Sequence, residues 1–150
     1  MLKLIRTDAA NKDLIALVKY LDTDLAKRDG KDHSFYSQFN KITNLKFAVI
    51  AYVNDIAIGC GTIKEFDSTA MEIKRMYVIS ESRGKGVATK VLKELECWAK
   101  ELSYNKCVLE TGKRQPEAIE LYRKNGYKII PNFGQYIGIE NSLCFEKELK

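Results

Sequence analysis

The chain has 150 residues, of which 45% are hydrophobic and 30% are charged, and its formal net charge is +5. This length fits one domain with one core and leaves no room for a second, and the composition is that of a soluble globular protein. No apolar run approaches the roughly 20 residues that span a bilayer, and residues 1–8 are too short and too early charged for a signal peptide. We therefore expect a cytoplasmic protein without a membrane partner.

The basic residues are spread along the chain without a run of five or six, so we expect no nucleic-acid partner. A polyanionic cofactor would account for part of the positive charge. Cys60, Cys97, Cys107 and Cys144 lack C-x-x-C spacing and lie in apolar segments, which predicts buried, reduced thiols rather than zinc or disulfides. His33 is the only histidine, which argues against histidine triads and multi-histidine metal sites.

The first part of the chain predicts one strand and two helices. Leu2–Thr7 alternates apolar and polar residues as a strand does, and Asp8 or Asn11 can cap the helix that follows. The apolar face of that helix consists of Leu14, Leu17, Val18, Leu21 and Leu25. A polar loop at residues 28–34 then leads to a short second helix indicated by Phe35, Tyr36 and Phe39.

The middle of the chain predicts an antiparallel meander of three strands. Phe47–Val53 and residues 56–63 are the first two, and Asn54-Asp55 between them is typical of a two-residue hairpin turn. A second turn near residues 67–69 leads into the third strand, at residues 71–78.

Helices and strands alternate in the remainder. The predicted elements are a helix from Gly86 to near Ser103, a strand at 107–111, a helix from Pro116 to Asn125-Gly126, and strands at 127–130 and Ser142–Glu148. Glu96 and Lys100 are expected to pair on the solvent face of the first of these helices. The order β-α-α-β-β-β-α-β-α-β-β predicts an α/β (α+β) fold: a mixed, mostly antiparallel sheet of six or seven strands with helices on both faces.

A glycine-rich turn, Arg83-Gly84-Lys85-Gly86, lies between the third meander strand and the next helix. The first N–H groups of a helix lack intrahelical partners and the helix dipole is positive there, so this position favours an anion. Glycine can adopt positive φ and allows close approach of the backbone, and the two basic residues add charge. Neither the P-loop pattern nor Gly-x-Gly-x-x-Gly is present. The turn therefore predicts a pyrophosphate cradle of another kind.

The segment Arg83-Gly-Lys-Gly86-Val-Ala88 resembles the [Gln/Arg]-x-x-Gly-x-[Gly/Ala] acetyl-coenzyme A (acetyl-CoA) loop of the GNAT family of N-acetyltransferases. The segment Gln115-Pro-Glu-Ala-Ile-Glu-Leu-Tyr122-Arg-Lys-Asn-Gly-Tyr127 is similar to the second signature of that family. Residues 71–149 resemble the family from its fourth strand to its last, and residues 1–45 match in element order only. The resemblance implies a single N-acetyltransferase domain over residues 1–150 that moves acetyl from acetyl-CoA to a primary amine in a ternary complex.

The resemblance also implies which residues bind the cofactor. The fourth and fifth strands would splay apart at a bulge, and the pantetheine arm would pair with the exposed backbone of the fourth. Gln115 stands where the family commonly has Asn, and its longer amide can make similar bonds to the pantetheine arm. The implied cofactor-binding residues are Met76, Tyr77, Val78, Arg83, Gly84, Lys85, Gly86, Val87, Ala88, Thr89, Gln115 and Tyr122.

Two catalytic residues follow from the chemistry and the resemblance together. A primary amine is protonated at pH 7 and must lose a proton before it can attack. Glu72 lies where the histone-acetyltransferase branch carries its catalytic glutamate, although it can instead pair with Lys74 on the same strand face. Glu110 is a reserve candidate. Tyr122 matches the family tyrosine that acts as general acid at the sulfur, and it can equally be a packing residue.

The acceptor amine stays open. Residues 25–36 and 132–141 would line its site, and aromatic groups there can serve a small amine, an amino acid or a peptide amine. The charged candidates are Asp29, Asp32 and Glu140, which suit a cation, and Arg28, Lys31 and Arg75, which suit a carboxylate. Other functions also stay open: a non-catalytic acyl-CoA-binding module, or a basic nucleic-acid-binding domain. Both a monomer and a homodimer are compatible with the family.

Overall fold

A computed structural model describes residues 1–29 and 45–150, so the predicted second helix and residues 30–34 of the predicted loop, with His33, lie outside the described residues. Residues 28 and 29, predicted to belong to that loop, are instead the last two residues of the first helix. In the described part, seven strands and three α-helices follow one another. The strands are β1 Leu2–Thr7, β2 Phe47–Val53, β3 Ile56–Glu65, β4 Ala70–Val78, β5 Lys106–Gly112, β6 Lys128–Ile130 and β7 Ser142–Glu148. The helices are α1 Lys12–Asp29, α2 Val87–Glu101 and α3 Pro116–Lys124.

All seven strands form one sheet in the order β1-β2-β3-β4-β5-β7-β6. Only β4 and β5 are parallel, so the predicted mixed, mostly antiparallel sheet is confirmed. These two strands pair over three residue pairs only, from Ala70↔Lys106 to Glu72↔Val108. Beyond Glu72 they diverge, and the sheet opens into a gap.

A bulge in β4 accompanies this opening. Arg75 has a φ of 57°, which is left-handed for a residue within a strand, and the register with β3 shifts there. Two buried β3 side chains hold the bulged backbone: Thr62 Oγ1 donates to the Lys74 carbonyl at 2.9 Å, and Cys60 Sγ donates to the Arg75 carbonyl at 3.5 Å. The irregular backbone is therefore stabilised by the neighbouring strand.

Local sequence signals account for the first half of the fold. Asn11 Oδ1 accepts the backbone N–H groups of Asp13 at 2.8 Å and Leu14 at 3.2 Å, so Asn11 caps α1. Asn54 and Asp55 both have positive φ, as a tight hairpin turn between twisted strands requires. The meander of β2, β3 and β4 is confirmed.

Helices pack on both faces of the sheet, as predicted. Leu14 and Val18 of α1 join Ile50 in one core cluster, whereas Leu95 of α2 and Tyr122 of α3 join the cluster on the opposite face. Gly61 of β3 permits the close approach of α2, because a Cβ there would lie 2.8 Å from Leu95 Cδ1. The helices thus flank the sheet where it opens.

Two expectations about α2 are wrong. Glu96 does not pair with Lys100 on the solvent face: it is buried, with Tyr127 Oη donating to one carboxylate oxygen at 2.8 Å and Lys147 Nζ to the other at 2.9 Å. The i,i+4 spacing did not predict this burial, because Tyr127 and Lys147 lie in other parts of the chain. Cys97, expected to be buried, is exposed on the same helix, while the other three thiols are buried.

Candidate active site

A cavity of about 630 Å³ occupies the gap between β4 and β5. Its lining comes from both faces of the sheet, with Val87 and Tyr122 on the side of α2 and α3, and Leu21 and Leu25 on the side of α1. The structure brings the predicted residues together in this lining: Glu72, Met76, Tyr77, Val78, Arg83, Gly84, Gly86, Val87, Ala88, Thr89, Gln115 and Tyr122. Lys85 is exposed on the loop outside that lining.

The glycine turn has the geometry of an anion site. Gly84 and Gly86 have φ of 79° and 80°, and Gly86 is the N-cap residue of α2. A Cβ at either glycine would meet no atom of the described chain within 4 Å, so the requirement for glycine is conformational. No side-chain hydrogen bond caps this helix N-terminus, which leaves its first N–H groups available at the cavity wall.

The basic side chain of Arg83 turns back onto β4. Its Nε donates to the Val78 carbonyl at 2.8 Å, and its guanidinium lies 5.5 Å from the centre of the Tyr77 ring. Arg83 therefore fixes the turn to the strand and contributes positive charge at the cavity wall. At the other side of the turn, Asn125 Nδ2 donates to Thr89 Oγ1 at 3.5 Å, which ties α2 to α3.

Glu72 lies in the cavity wall on the side that carries α1, because it alternates with the core residues Met71 and Ile73. Its residue exposure is 9%. Burial raises the pKa of its carboxyl group, and the charges of Lys74 and Lys64 oppose that rise. Lys74 Nζ lies 3.9 Å from Glu72 Oε2, so the alternative pairing considered from the sequence is present in the same cavity wall.

Glu110 and Tyr136 complete the polar groups near Glu72. Both line the cavity, and Tyr136 is buried in the segment before β7. Burial raises the pKa of Tyr136 above its usual range, and the charges of Glu110 and Glu72 add to that rise. Tyr136 also contacts Phe133, which stacks edge-on against Phe66. The predicted acceptor segment thus contributes Tyr136, with its buried hydroxyl group, to the cavity lining, and Phe133 packs against Tyr136.

Tyr122 projects from α3 into the cavity wall opposite Glu72. It both lines the cavity and packs in the core, the two positions considered from the sequence. It packs edge-on against Tyr127 with ring centres 5.7 Å apart, and it lines the cavity. Burial, and secondly the charge of Glu110, raise the pKa of its phenol above the usual value. The hydroxyl group is therefore protonated at neutral pH.

The arginines predicted as acceptor-site candidates already have acidic partners. Arg75 is buried and Nη2 donates to Asp22 of α1. Arg28 contacts Asp24 at 3.5 Å and also Glu117 at the start of α3. Glu140 is exposed and lies away from the cavity. Lys31 and Asp32 lie outside the described residues, as does the side chain of Asp29.

The C-terminal half of α1 contributes Leu21, Asp24, Leu25 and Arg28 to the cavity lining. Leu25 and Arg28 belong to the acceptor segment predicted at 25–36, whereas the cavity positions of Leu21 and Asp24 were missed. The apolar spacing identified two of these residues as core, and only their position at the edge of the β4–β5 gap makes them cavity residues. In the described ranges, no three histidine, cysteine or acidic groups are placed to hold a metal ion, and no helix has the length and apolarity to cross a bilayer.

Comparison with known proteins gives consistent matches. Residues 14–127 match the model of the acetyltransferase (GNAT) family. An IAA acetyltransferase of Azospirillum brasilense is 33% identical over 102 residues, which are 67% of each chain. A structure from Klebsiella pneumoniae assigned as an acyl-CoA N-acyltransferase has a TM-score of 0.84 at 27% identity, covering 100% of this chain and 99% of that one. A GNAT acetyltransferase of Elizabethkingia anophelis with acetyl-CoA bound shares the fold, with a TM-score of 0.72, 22% identity and 99% and 98% coverage.

The fold and the family match define a GNAT-type transferase. The chain belongs to the acetyltransferase (GNAT) family and is an acetyl-transferring enzyme, and the acetyl donor that this family uses is acetyl-CoA.

Proposed function

We propose that residues 1–150 act as one domain that moves the acetyl group of acetyl-CoA directly to a primary amine within a ternary complex. One observation carries this proposal: a single cavity joins the uncapped N-terminus of α2 to Glu72 and Tyr122 on opposite walls. Acetyl-CoA supplies a diphosphate, an amide-bearing arm and a reactive thioester. The residues that line the cavity offer a matching group for each.

The cofactor-binding residues act mainly through their backbone. N–H groups of residues 86–89 at the start of α2 suit the diphosphate, with the charge of Arg83 nearby. Residues 76–78 of β4 lie beyond the paired part of the β4–β5 ladder, so their edge can pair with amides of an extended arm. Gln115, the N-cap residue of α3, makes no capping bond and lines the same gap.

Glu72 is proposed as the general base, acting directly or through one water. An acceptor ammonium must lose a proton before its nitrogen can attack, and a carboxylate at the cavity wall both attracts the cation and accepts that proton. The raised pKa of Glu72 makes its carboxylate a stronger base than that of an exposed glutamate, which suits proton transfer from an acceptor ammonium.

Tyr122 is proposed as the general acid. Its hydroxyl keeps its proton at neutral pH because burial raises its pKa, and it lies across the gap from the Glu72 wall. Since a thiolate is already a fair leaving group, with a thiol pKa of about 8.5, proton donation assists departure without being indispensable. Backbone N–H groups near Val78 can polarise the acyl oxygen. No covalent intermediate on a cysteine is needed.

The deciding experiment combines binding with turnover. Titration calorimetry with acetyl-CoA, with desulfo-CoA as control, is expected to show one site, and a panel of amines should then release thiol. Gly86→Glu is expected to abolish binding, because it places a charged side chain at the anion site. Gly138→Glu is the matched control, since Gly138 also has a φ of 80° and open space but lies outside the cavity lining.

Each outcome discriminates between functions. Binding without thiol release for any amine would favour the non-catalytic acyl-CoA module. Absence of binding in the wild-type chain would contradict the proposed site. The cytoplasmic location stays a prediction from the sequence.

A further inference from the structure

Lys74 is a primary amine of the chain itself that lines the cavity beside Glu72, the proposed general base. It follows Glu72 by two positions on the same face of β4, and its side chain is only 10% exposed. Its Nζ lies 3.9 Å from Glu72 Oε2. Both residues line the cavity that also contains Tyr122 and the glycine turn. None of the steps assigned above uses this amine.

The Lys74 nitrogen lies beside Glu72, where the nitrogen of an external amine substrate would have to lie. A general base must lie within hydrogen-bond reach of the proton it accepts, or reach it through one water. The Lys74 nitrogen is within a small side-chain movement of direct contact with Glu72, and inside the same cavity wall. An external acceptor amine served by Glu72 would have to place its nitrogen in this same region.

We propose that Lys74 is an acetylation site of the chain's own transfer reaction, so that acetyl-CoA acetylates Lys74 Nζ within the cavity when no external amine is bound. This inference rests on the proposed function. The neutral amine attacks the thioester carbonyl carbon, an N–C bond forms and the C–S bond breaks. One amine proton passes to Glu72, and the sulfur leaves and is protonated to the thiol. Lys–NH₂ and acetyl-CoA thus give Lys–NH–CO–CH₃ and free CoA.

The environment of Lys74 favours its neutral, reactive form. Burial lowers the pKa of the Lys74 ammonium, whereas the charge of Glu72 opposes this. Lys64 offers a comparison within the same fold, because it stands opposite Glu72 in the β3–β4 register but is exposed to solvent. Lys64 is also not among the residues that line the cavity, so its amine lies outside the space in which the thioester would bind. Selective acetylation of Lys74 over Lys64 is therefore expected.

Acetylation of Lys74 would limit the enzyme's own turnover. The product amide has no positive charge and adds an acetyl group beside Glu72. The Lys74 charge now counteracts the rise in the Glu72 pKa, so its removal would raise that pKa further. The base would then ionise only at higher pH. Acetylated enzyme should show the rising limb of its rate profile at higher pH than unmodified enzyme.

The test is incubation of the purified chain with acetyl-CoA in amine-free buffer, followed by peptide mass spectrometry at timed intervals. Acetyl occupancy at Lys74 should grow about 10²-fold faster than at Lys64, which is the lower end of general-base assistance. Glu72→Gln should slow the reaction at Lys74 and leave Lys64 unchanged. Acetic anhydride is the chemical control, because it should favour Lys64, the more exposed amine.

Failure of this inference can be separated from failure of the proposed function. Thiol release with external amines, but equal or absent acetylation at Lys74, would overturn the inference and leave the transferase function intact. If neither thiol release nor Lys74 acetylation is observed, both the inference and the proposed function are contradicted. An unchanged Lys74 rate in Glu72→Gln, in a variant that still binds acetyl-CoA, would also overturn it, because the reaction would then be independent of the base.

Discussion

Glu72 illustrates how burial sets the chemistry of one carboxyl group. Because burial raises its pKa above the ordinary value of 4.5, the folded chain holds this proton to higher pH than an exposed glutamate does. Only the carboxylate accepts a proton, so the acetyl-transfer rate should rise with pH through this raised pKa. Glu72→Gln should lower kcat at pH 7 by about 10²- to 10⁴-fold and leave acetyl-CoA affinity nearly unchanged.

The measurement is the pH profile of kcat for wild type and variant. A rising acidic limb that persists in Glu72→Gln would remove Glu72 from the mechanism. Glu110→Gln is the informative comparison, since Glu110 lines the same cavity. If Glu110→Gln removes the rising acidic limb and Glu72→Gln does not, Glu110 is the base.

Tyr122 can be tested by removing one oxygen atom. Tyr122→Phe keeps the ring that packs against Tyr127 and Phe145 but removes the proposed acidic hydroxyl. We expect kcat to fall by about 10²-fold, the lower end of general-acid assistance, with a melting temperature close to that of wild type. A general-acid role should also make the loss smaller for a thioester with a more acidic thiol. Unchanged kcat with a lower melting temperature would leave Tyr122 as a packing residue only.

Among the elements, α2 is tied to the C-terminal strands by the buried Glu96 carboxylate, which accepts from Tyr127 and Lys147. Glu96→Ala removes this carboxylate and leaves the Tyr127 hydroxyl group and the Lys147 ammonium without their acceptor. We therefore expect the free energy of unfolding to fall by about 2–4 kcal/mol. Urea unfolding followed by circular dichroism measures this.

Glu94→Ala on the same helix is the matched control. Glu94 pairs with Arg6 at 2.7 Å, but both side chains are about 30% exposed. Glu94→Ala should therefore lower the free energy of unfolding by less than about 1 kcal/mol. Equal losses for the two variants would show that the buried network adds nothing beyond a surface ion pair.

Sequence patterns predicted the elements well where the signal is local. Alternation gave the bounds of β1 and β7, a continuous apolar run gave those of β2, and turn chemistry gave the hairpin at Asn54-Asp55, because these signals act between near neighbours. The motifs likewise indicated Glu72, Tyr122 and the glycine turn. The burial of Glu96 was not predictable, since its partners lie 31 and 51 residues away in the chain. The cavity positions of Lys74 and of α1 also depend on where β4 and β5 separate.

At the scale of the whole molecule, a short ladder joins the two sides of the sheet where the proposed active site lies. The β4–β5 ladder has three residue pairs, whereas the neighbouring β3–β4 and β5–β7 ladders have six and seven. The described chain therefore consists of two parts joined by a short ladder and by the packing of α2. A ligand bound in the gap would contact both parts. Ligand binding should thus stabilise the junction as well as the residues it touches.

This predicts a large, ligand-dependent thermal shift. A ligand at 100 times its Kd stabilises the folded state by about 2.7 kcal/mol, which for a chain of this size is about 5–10 °C in melting temperature. Acetyl-CoA should produce this shift in wild type and in Gly138→Glu, but not in Gly86→Glu. Hydrogen exchange should slow on both sides of the gap, in residues 76–78 of β4 and at the C-terminal end of β5. Protection confined to the glycine turn would show that the anion site binds ligand without bridging the two parts of the sheet.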